Sequence, residues 1–117
     1  TLSVRQLVHP QEEDVNNIVG RGRTVKVRGR LLPLLGLGDV LKVPAHQKNP
    51  WEGVLVIVED SGREVAIQVD NVIGKQEVVI KNVADTYSEK NCIAGGAILG
   101  DGNVGLILDI RSIVTSY

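Results

Sequence analysis

GRGRTVKVRGRLLPLLGLGDV, residues 20–40, joins two opposite characters in one stretch. Its front half is basic, with Arg21, Arg23, Lys26, Arg28 and Arg30 close together and no acid among them. Its back half is rich in leucine, interrupted by Pro33, Gly36 and Gly38. Val25 and Val27 alternate with Lys26 and Arg28. That is the period of a half-buried strand, because successive side chains of extended backbone point to opposite faces. Arg28-Gly29-Arg30 supplies a turn, since Gly29 tolerates a positive φ. Residues 31–35 read as the return strand, and Pro33 marks an edge or a bulge because proline donates nothing to a ladder. Residues 36–41 fit a single turn of helix. A hairpin with a wet basic side and a dry leucine side makes this a β-protein; an arginine arm would make it a nucleic-acid binder.

The flanks extend the strand reading. Upstream, the apolar residues at 2, 4, 7 and 8 permit a short helical turn ending before Pro10, and QEEDVNN (11–17) reads as a polar, exposed connection. Downstream, 42–52 reads as a surface loop with Pro44 and Pro50, able to separate two lobes. Residues 54–58 are a continuous apolar run, consistent with a strand buried on both faces. Asp60-Ser61-Gly62 turns the chain, and Val65, Ile67 and Val69 alternate on the way back. VIGKQEVVI (72–80) is a further branched stretch, and 82–91 is a polar loop. Residues 93–99 and 104–108 flank Asp101-Gly102, a strong hairpin signal. Ile110, Ile113, Val114 and Tyr117 then fall on one face of a closing helix. Many short strands punctuated by turns indicate an all-β barrel or sandwich.

Composition narrows the function classes. With 117 residues the chain fits one domain, and 43% apolar residues suit a folded core. A net charge of -1 gives no overall field toward nucleic acid or anionic lipid, so a basic patch acts only locally. No run approaches the roughly 18 apolar residues of a membrane helix, and the start lacks the layout of a signal peptide. One cysteine, Cys92, excludes an internal disulfide and suits a reducing, cytoplasmic compartment.

Chemistry is scarce. His9 and His46 stand beside prolines or in loops, without the paired short spacing of zinc ligands. Cys92 precedes an apolar strand, where cysteine behaves as a small hydrophobe. Asp70, Asp101 and Asp109 lie at strand ends: Asp101 belongs to a turn, Asp109 can cap the closing helix, and Asp70-Asn71 can close an Asx-turn. The glycine clusters at 36–38 and 95–102 lack the strand-to-helix context of a phosphate loop. The expectation is therefore no catalytic centre, no metal and no cofactor. The basic stretch keeps one alternative open, a small β-barrel binding nucleic acid through residues 21–30. Aromatics make up only 3% of the chain, and none lies between residues 1 and 50, so that reading lacks stacking platforms.

Three segments taken in order add a family. VKVRGRLLPLLGLGDVL (25–41), GVLVIVEDSGREVAIQVDNVIGKQEVVIK (53–81) and AGGAILGDGNVGLILDIRSIV (94–114) resemble the CheW-like domains of bacterial chemotaxis, and among them the C-terminal regulatory domain of the CheA histidine kinases. The resemblance implies a single domain over 1–117 made of two small five-stranded, SH3-like barrel lobes with short helices. It implies a non-catalytic adaptor whose partners are the chemoreceptor cytoplasmic tip, the CheW adaptor and the CheA kinase, with receptor binding in a groove between lobes and no membrane insertion. Arg28 matches the Arg of the family's Arg-Gly motif, a position associated with receptor binding. Val27 and Leu32 flank it. Val78 and Val79 fall in the V-D-x-V-x-G-x-x-E-V-V segment with Asp70 and Gly74, where strand alternation would expose one valine of the pair. Family members begin with further strands before the position of Leu2. That implies a first lobe incomplete at its N-terminus, with an edge open to another molecule or to a homo-oligomer.

Overall fold

The structure, a computed structural model, describes residues 2–18, 22–42, 49–74, 78–81 and 93–115. Arg21, His46, Cys92, Tyr117, the loop at 82–91 and most of the loop at 42–52 lie outside the described residues. In chain order the elements are β1 (Leu2–Val8), β2 (Val15–Ile18), β3 (Gly22–Val27), β4 (Arg30–Gly36), α1 (Leu37–Leu41), β5 (Val54–Asp60), β6 (Arg63–Val69), β7 (Val79–Lys81), β8 (Ile93–Ile98), β9 (Val104–Leu108) and α2 (Ile110–Thr115). The chain divides between Val72 and Ile73 into two units. The first carries a six-stranded sheet ordered β1-β5-β6-β4-β3-β2, the second a three-stranded sheet β7-β8-β9. The chain is thus mostly β with short helices and two sheets. Among the described residues its strands partition six and three, where the resemblance implied five-stranded lobes with the first of them incomplete.

The hairpin at the centre of the first unit forms as the sequence reads. Val27 pairs with Arg30 across a two-residue turn, and Arg28 (φ 52°) and Gly29 (φ 78°) both take left-handed backbone. That turn matches the natural right-handed twist of paired strands. Pro33 lies where β4 changes partners. Up to Pro33 the strand pairs antiparallel with β3, and from Leu34 to Gly36 it pairs parallel with β6. A residue without an N–H fits a changeover better than the middle of a ladder. The parallel β4–β6 pair also explains why 42–52 does not separate two lobes: the crossover returns the chain to the same sheet.

β5 and β6 form the second hairpin, from Val54↔Val69 to Asp60↔Arg63, turning at Ser61 (φ 54°) and Gly62 (φ 81°). As a central strand buried on both faces, β5 shows the expected unbroken apolar run, with Val54, Leu55, Ile57 and Val58 all buried. The core of this unit is Val25, Leu32, Leu34, Leu55, Ile57 and Ala66, with Val8, Val15 and Val27 packed against it.

Two segments differ from their sequence reading. Residues 2–8 form an edge strand rather than a helical turn, because a bulge at Arg5 inserts one extra residue between Val4↔Val58 and Gln6↔Ile57. The insertion shifts the side-chain alternation by one, so the apolar spacing mimics a helix. Residues 15–18 form β2, paired with β3 from Val15↔Val25 to Ile18↔Gly22. Backbone pairing does not require apolar side chains on an edge, so Asn16 and Asn17 gave no signal.

One core position is poorly matched. Thr24 is buried, and its hydroxyl oxygen has no hydrogen-bond partner. Leaving such a group dry costs about 1–3 kcal/mol. Thr24→Val keeps the shape and removes the hydroxyl, so the expected result is a gain of about 1 kcal/mol, read as a thermal midpoint several degrees higher. An unchanged or lower midpoint would show that the hydroxyl has a use.

In the second unit, β7 pairs with β8 from Val79↔Ile98 to Lys81↔Gly96, and β8 with β9 from Ile93↔Leu108 to Ile98↔Val104. Of the branched stretch at 72–80, residues 79 and 80 enter β7; residues 72–74 and 78 belong to no element, and 75–77 lie outside the described residues. The β8–β9 connection is closed by Asp101, whose carboxylate accepts the Asn103 N–H at 3.0 Å, with Gly102 at φ 88°. Among the described residues no helix is long and apolar enough to cross a membrane.

Candidate partner-binding site

The tip of the β3–β4 hairpin faces the edge strand β1 across an open seam in the first unit. On one side of the tip, Val27, Arg28 and Leu32 join Val4, Gln6 and Glu64 around a cleft of about 390 Å³. On the other, Lys26, Val27 and Arg28 join Gln6, Val8 and His9 around a shallower hollow of about 560 Å³. Gln6, Val27 and Arg28 line both, so the two hollows adjoin along these residues and make a trough divided at Arg28.

Charge along the trough is unevenly satisfied. Arg30 hydrogen-bonds the Glu64 carboxylate, and Arg5 sits 3.4 Å from Glu59. Arg23 reaches Asp39 at 3.5 Å, over Gly36, where a Cβ would lie 2.8 Å from that carboxylate. Lys26 and Arg28 make no ion pair among the described residues. The run of five basic residues is therefore not a continuous cationic stripe. Two of them, Arg23 and Arg30, are matched by acids, and Arg21 lies outside the described residues. What remains is a local pair of cations beside a partly apolar trough.

Arg28 holds its place at a cost. Left-handed backbone is disfavoured for a residue with a side chain by about 1–2 kcal/mol, and asparagine or glycine is the usual occupant of this turn position. A strained and exposed residue of this kind, with no ion pair among the described residues, marks a candidate functional position.

The other sequence candidates are placed as follows. Val27 is half-buried, packs on the core and lines both hollows. Leu32 is 4% exposed and belongs to the core, so it supports the trough from beneath rather than offering a contact. Val78 and Val79 belong to the second unit and are both exposed, at 37% and 59%. Alternation does not choose between them because Val78 precedes β7. The trough wall formed by Arg5, Gln6 and Val8 had no sequence signal, since the bulge hid the strand that carries it.

Of the acids, Asp109 has a resolved role. Its carboxylate accepts the Ser112 hydroxyl at 2.8 Å and the Ser112 N–H at 3.3 Å, capping α2. These two bonds, helped by Arg111, hold its pKa below the ordinary carboxylate value. A depressed pKa stabilises the fold above the unfolded-state value, and that stabilisation is lost as pH falls through the folded-state value. Asp109→Ala is therefore expected to lower the urea midpoint at neutral pH, with the difference from the parent vanishing on acidification below the carboxylate range. A difference that persists at low pH would place its cause outside the carboxylate. At the end of β6, where an Asx-turn was expected, Asn71 Oδ1 accepts the Val72 N–H at 2.8 Å, one residue on rather than the two of an Asx-turn. Among the described residues no group of three His, Cys, Asp or Glu side chains is placed to hold a metal ion.

The chain is similar to known proteins in sequence and in fold. The chain is 37% identical to the chemotaxis protein CheA of Salmonella typhimurium over 111 residues, covering 95% of this chain and 16% of that one. It is 34% identical to the CheA of Rhizobium meliloti over 115 residues, 97% of this chain and 15% of that protein. The chain thus spans about a sixth of the length of these relatives. In structure it resembles the scaffolding protein TtCheW from Thermoanaerobacter tengcongensis, with a TM-score of 0.68 at 19% identity, covering 91% of this chain and 75% of that one. The CheW-like domain family model matches residues 1–117. From end to end of the given sequence, the chain belongs to the CheW-like domain family.

Proposed function

We propose that this is a non-catalytic scaffold domain of chemotaxis signalling, acting in the cytoplasm to couple chemoreceptor tips, the CheW adaptor and the CheA histidine kinase. The observation that carries the reading is family membership over the whole sequence, with identity to CheA proteins above 30% across nearly all of it. A scaffold works by surface complementarity, an apolar patch with a polar rim, and needs no reacting group. The trough fits that description: Val27 lies in its wall, and Lys26 and Arg28, which make no ion pair among the described residues, line it as cations. Arg28 and Val27 are the contacts proposed on the first unit, with Leu32 as their support, and Val78 and Val79 those on the second.

The nucleic-acid alternative gains nothing from the geometry, because acids compensate Arg23 and Arg30. Titration of the protein with a receptor-tip helical hairpin, with CheW and with single-stranded RNA separates the two readings. The scaffold reading expects saturable binding of receptor tip or CheW. RNA binding with a steep salt dependence and no binding of either protein would overturn it.

A further inference from the structure

The cleft on one side of the hairpin tip brings three arginines together, Arg5 from β1, Arg28 from the turn and Arg30 from β4, beside the single acid Glu64. Glu64 on β6 stands directly opposite Glu59 on β5, at the end of the sheet face that carries Leu55, Ile57 and Ala66. Like charges opposed across a sheet are unfavourable. Each of these is answered from the strand on its other side. Arg5 sits 3.4 Å from Glu59, and Arg30 hydrogen-bonds Glu64, whose side chain is 19% exposed. Two of the three guanidinium groups are thus taken up by carboxylates of the chain itself. Arg28 is not. Every Asp and Glu of the first unit is among the described residues, and none of them pairs with Arg28.

The number of available guanidinium groups decides which anion fits. One guanidinium offers a planar fork that matches one carboxylate. A nucleic acid gains its affinity from several cations acting together on its phosphates. Here Arg30 is engaged, and Glu64 places a negative charge in the same cleft. Three available arginines would suit phosphate; one suits a carboxylate.

We propose that Glu64 sets the anion class of this cleft. By holding Arg30 it leaves Arg28 to take a single carboxylate, an Asp or Glu side chain of a protein partner, and it turns away the phosphates of nucleic acid. The aliphatic walls of Val4 and Val27 fit the stem of such a side chain. That the carboxylate belongs to a protein rests on the scaffold reading; the exclusion of phosphate by Glu64 does not.

Titration with single-stranded RNA at low salt tests the exclusion. Glu64→Gln is expected to bind about tenfold or more tightly than the parent, with log K falling more steeply against log salt by about one, the mark of one added phosphate contact. Glu13→Gln makes the same change of charge at an exposed residue that lines neither hollow, and it should behave as the parent. Adding Arg30→Gln to Glu64→Gln should abolish the gain. Equal binding by the parent and Glu64→Gln, an equal gain in Glu13→Gln, or a gain that survives the loss of Arg30 would each overturn the role of Glu64. The carboxylate is tested with the receptor tip and CheW. Arg28→Glu should weaken their binding about tenfold or more, and lysine in place of one acid of the partner should restore it. If the parent binds and Arg28→Glu binds equally, or if no such lysine restores binding, the carboxylate is overturned while the scaffold reading stands. A parent that binds neither protein overturns the scaffold reading and the carboxylate with it.

Discussion

Leu55→Ala is expected to destabilise the protein by about 3 kcal/mol, through lost burial plus the cavity left behind. For a chain of this size that lowers the thermal midpoint by roughly 10–15 °C. Leu55 is fully buried on the central strand β5, opposite Val8 on one neighbour and Gln68 on the other. It shares its cluster with Val25, Leu32, Leu34, Ile57 and Ala66, contributed by four strands, so no single neighbour can move in to fill the space. Leu31→Ala is the matched control. It removes the same atoms in the same unit from a side chain 56% exposed, and its effect should stay within about 0.5 kcal/mol. Thermal melts of the two variants decide the matter, and similar midpoints would refute this assignment of the core. The change has a functional side too, because Val27 packs on the same cluster and lines the trough. Binding that depends on the trough should fall with the Leu55 variant near its melting range and not with the Leu31 variant.

How much of this was legible depended on whether the signal was local. The β3–β4 hairpin could be read because alternation, turn residue and return strand fall within fifteen residues. The same holds for the Ser61-Gly62 and Asp101-Gly102 turns and for the helix cap at Asp109. β1 could not be read, since the Arg5 bulge converts an alternating pattern into one with helical spacing. β2 failed for a different reason: an edge strand is held by backbone bonds to β3, which its polar side chains do not report. Pro33 signalled an interruption correctly, but only the sheet order reveals it as a change of partner. The site divided along the same line. Arg28 and Val27 stand on the legible hairpin, while the opposite wall of the trough stands on the illegible strand. The cleft shared by Arg5, Arg30 and Glu64 exists only through pairing between strands distant in sequence, and so no local pattern announces it.

Arg28→Asn should separate stability from binding in one substitution. Asparagine adopts left-handed backbone more readily than arginine, and Asn-Gly is a favoured pair for a two-residue hairpin turn. Relief at φ 52° should therefore raise stability by about 0.5–1 kcal/mol, visible as a higher urea midpoint. The same change removes the exposed guanidinium from the trough. A hydrogen bond to a charged group contributes about 1.5–3 kcal/mol, so affinity for receptor tip or CheW should fall roughly ten- to a hundredfold. Arg28→Lys should retain part of the affinity, since it keeps the charge but not the planar fork. It should also retain the backbone strain, and hence the parent's midpoint. A more stable protein with weaker binding would mean that the strained turn is maintained for the sake of the contact. If the asparagine variant is stabilised yet binds at full affinity, Arg28 is not a contact, and the trough must act through Val27 and Lys26 instead. If it is destabilised, the guanidinium supports the hairpin in a way that turn geometry alone does not reveal, and any loss of binding is then a loss of structure.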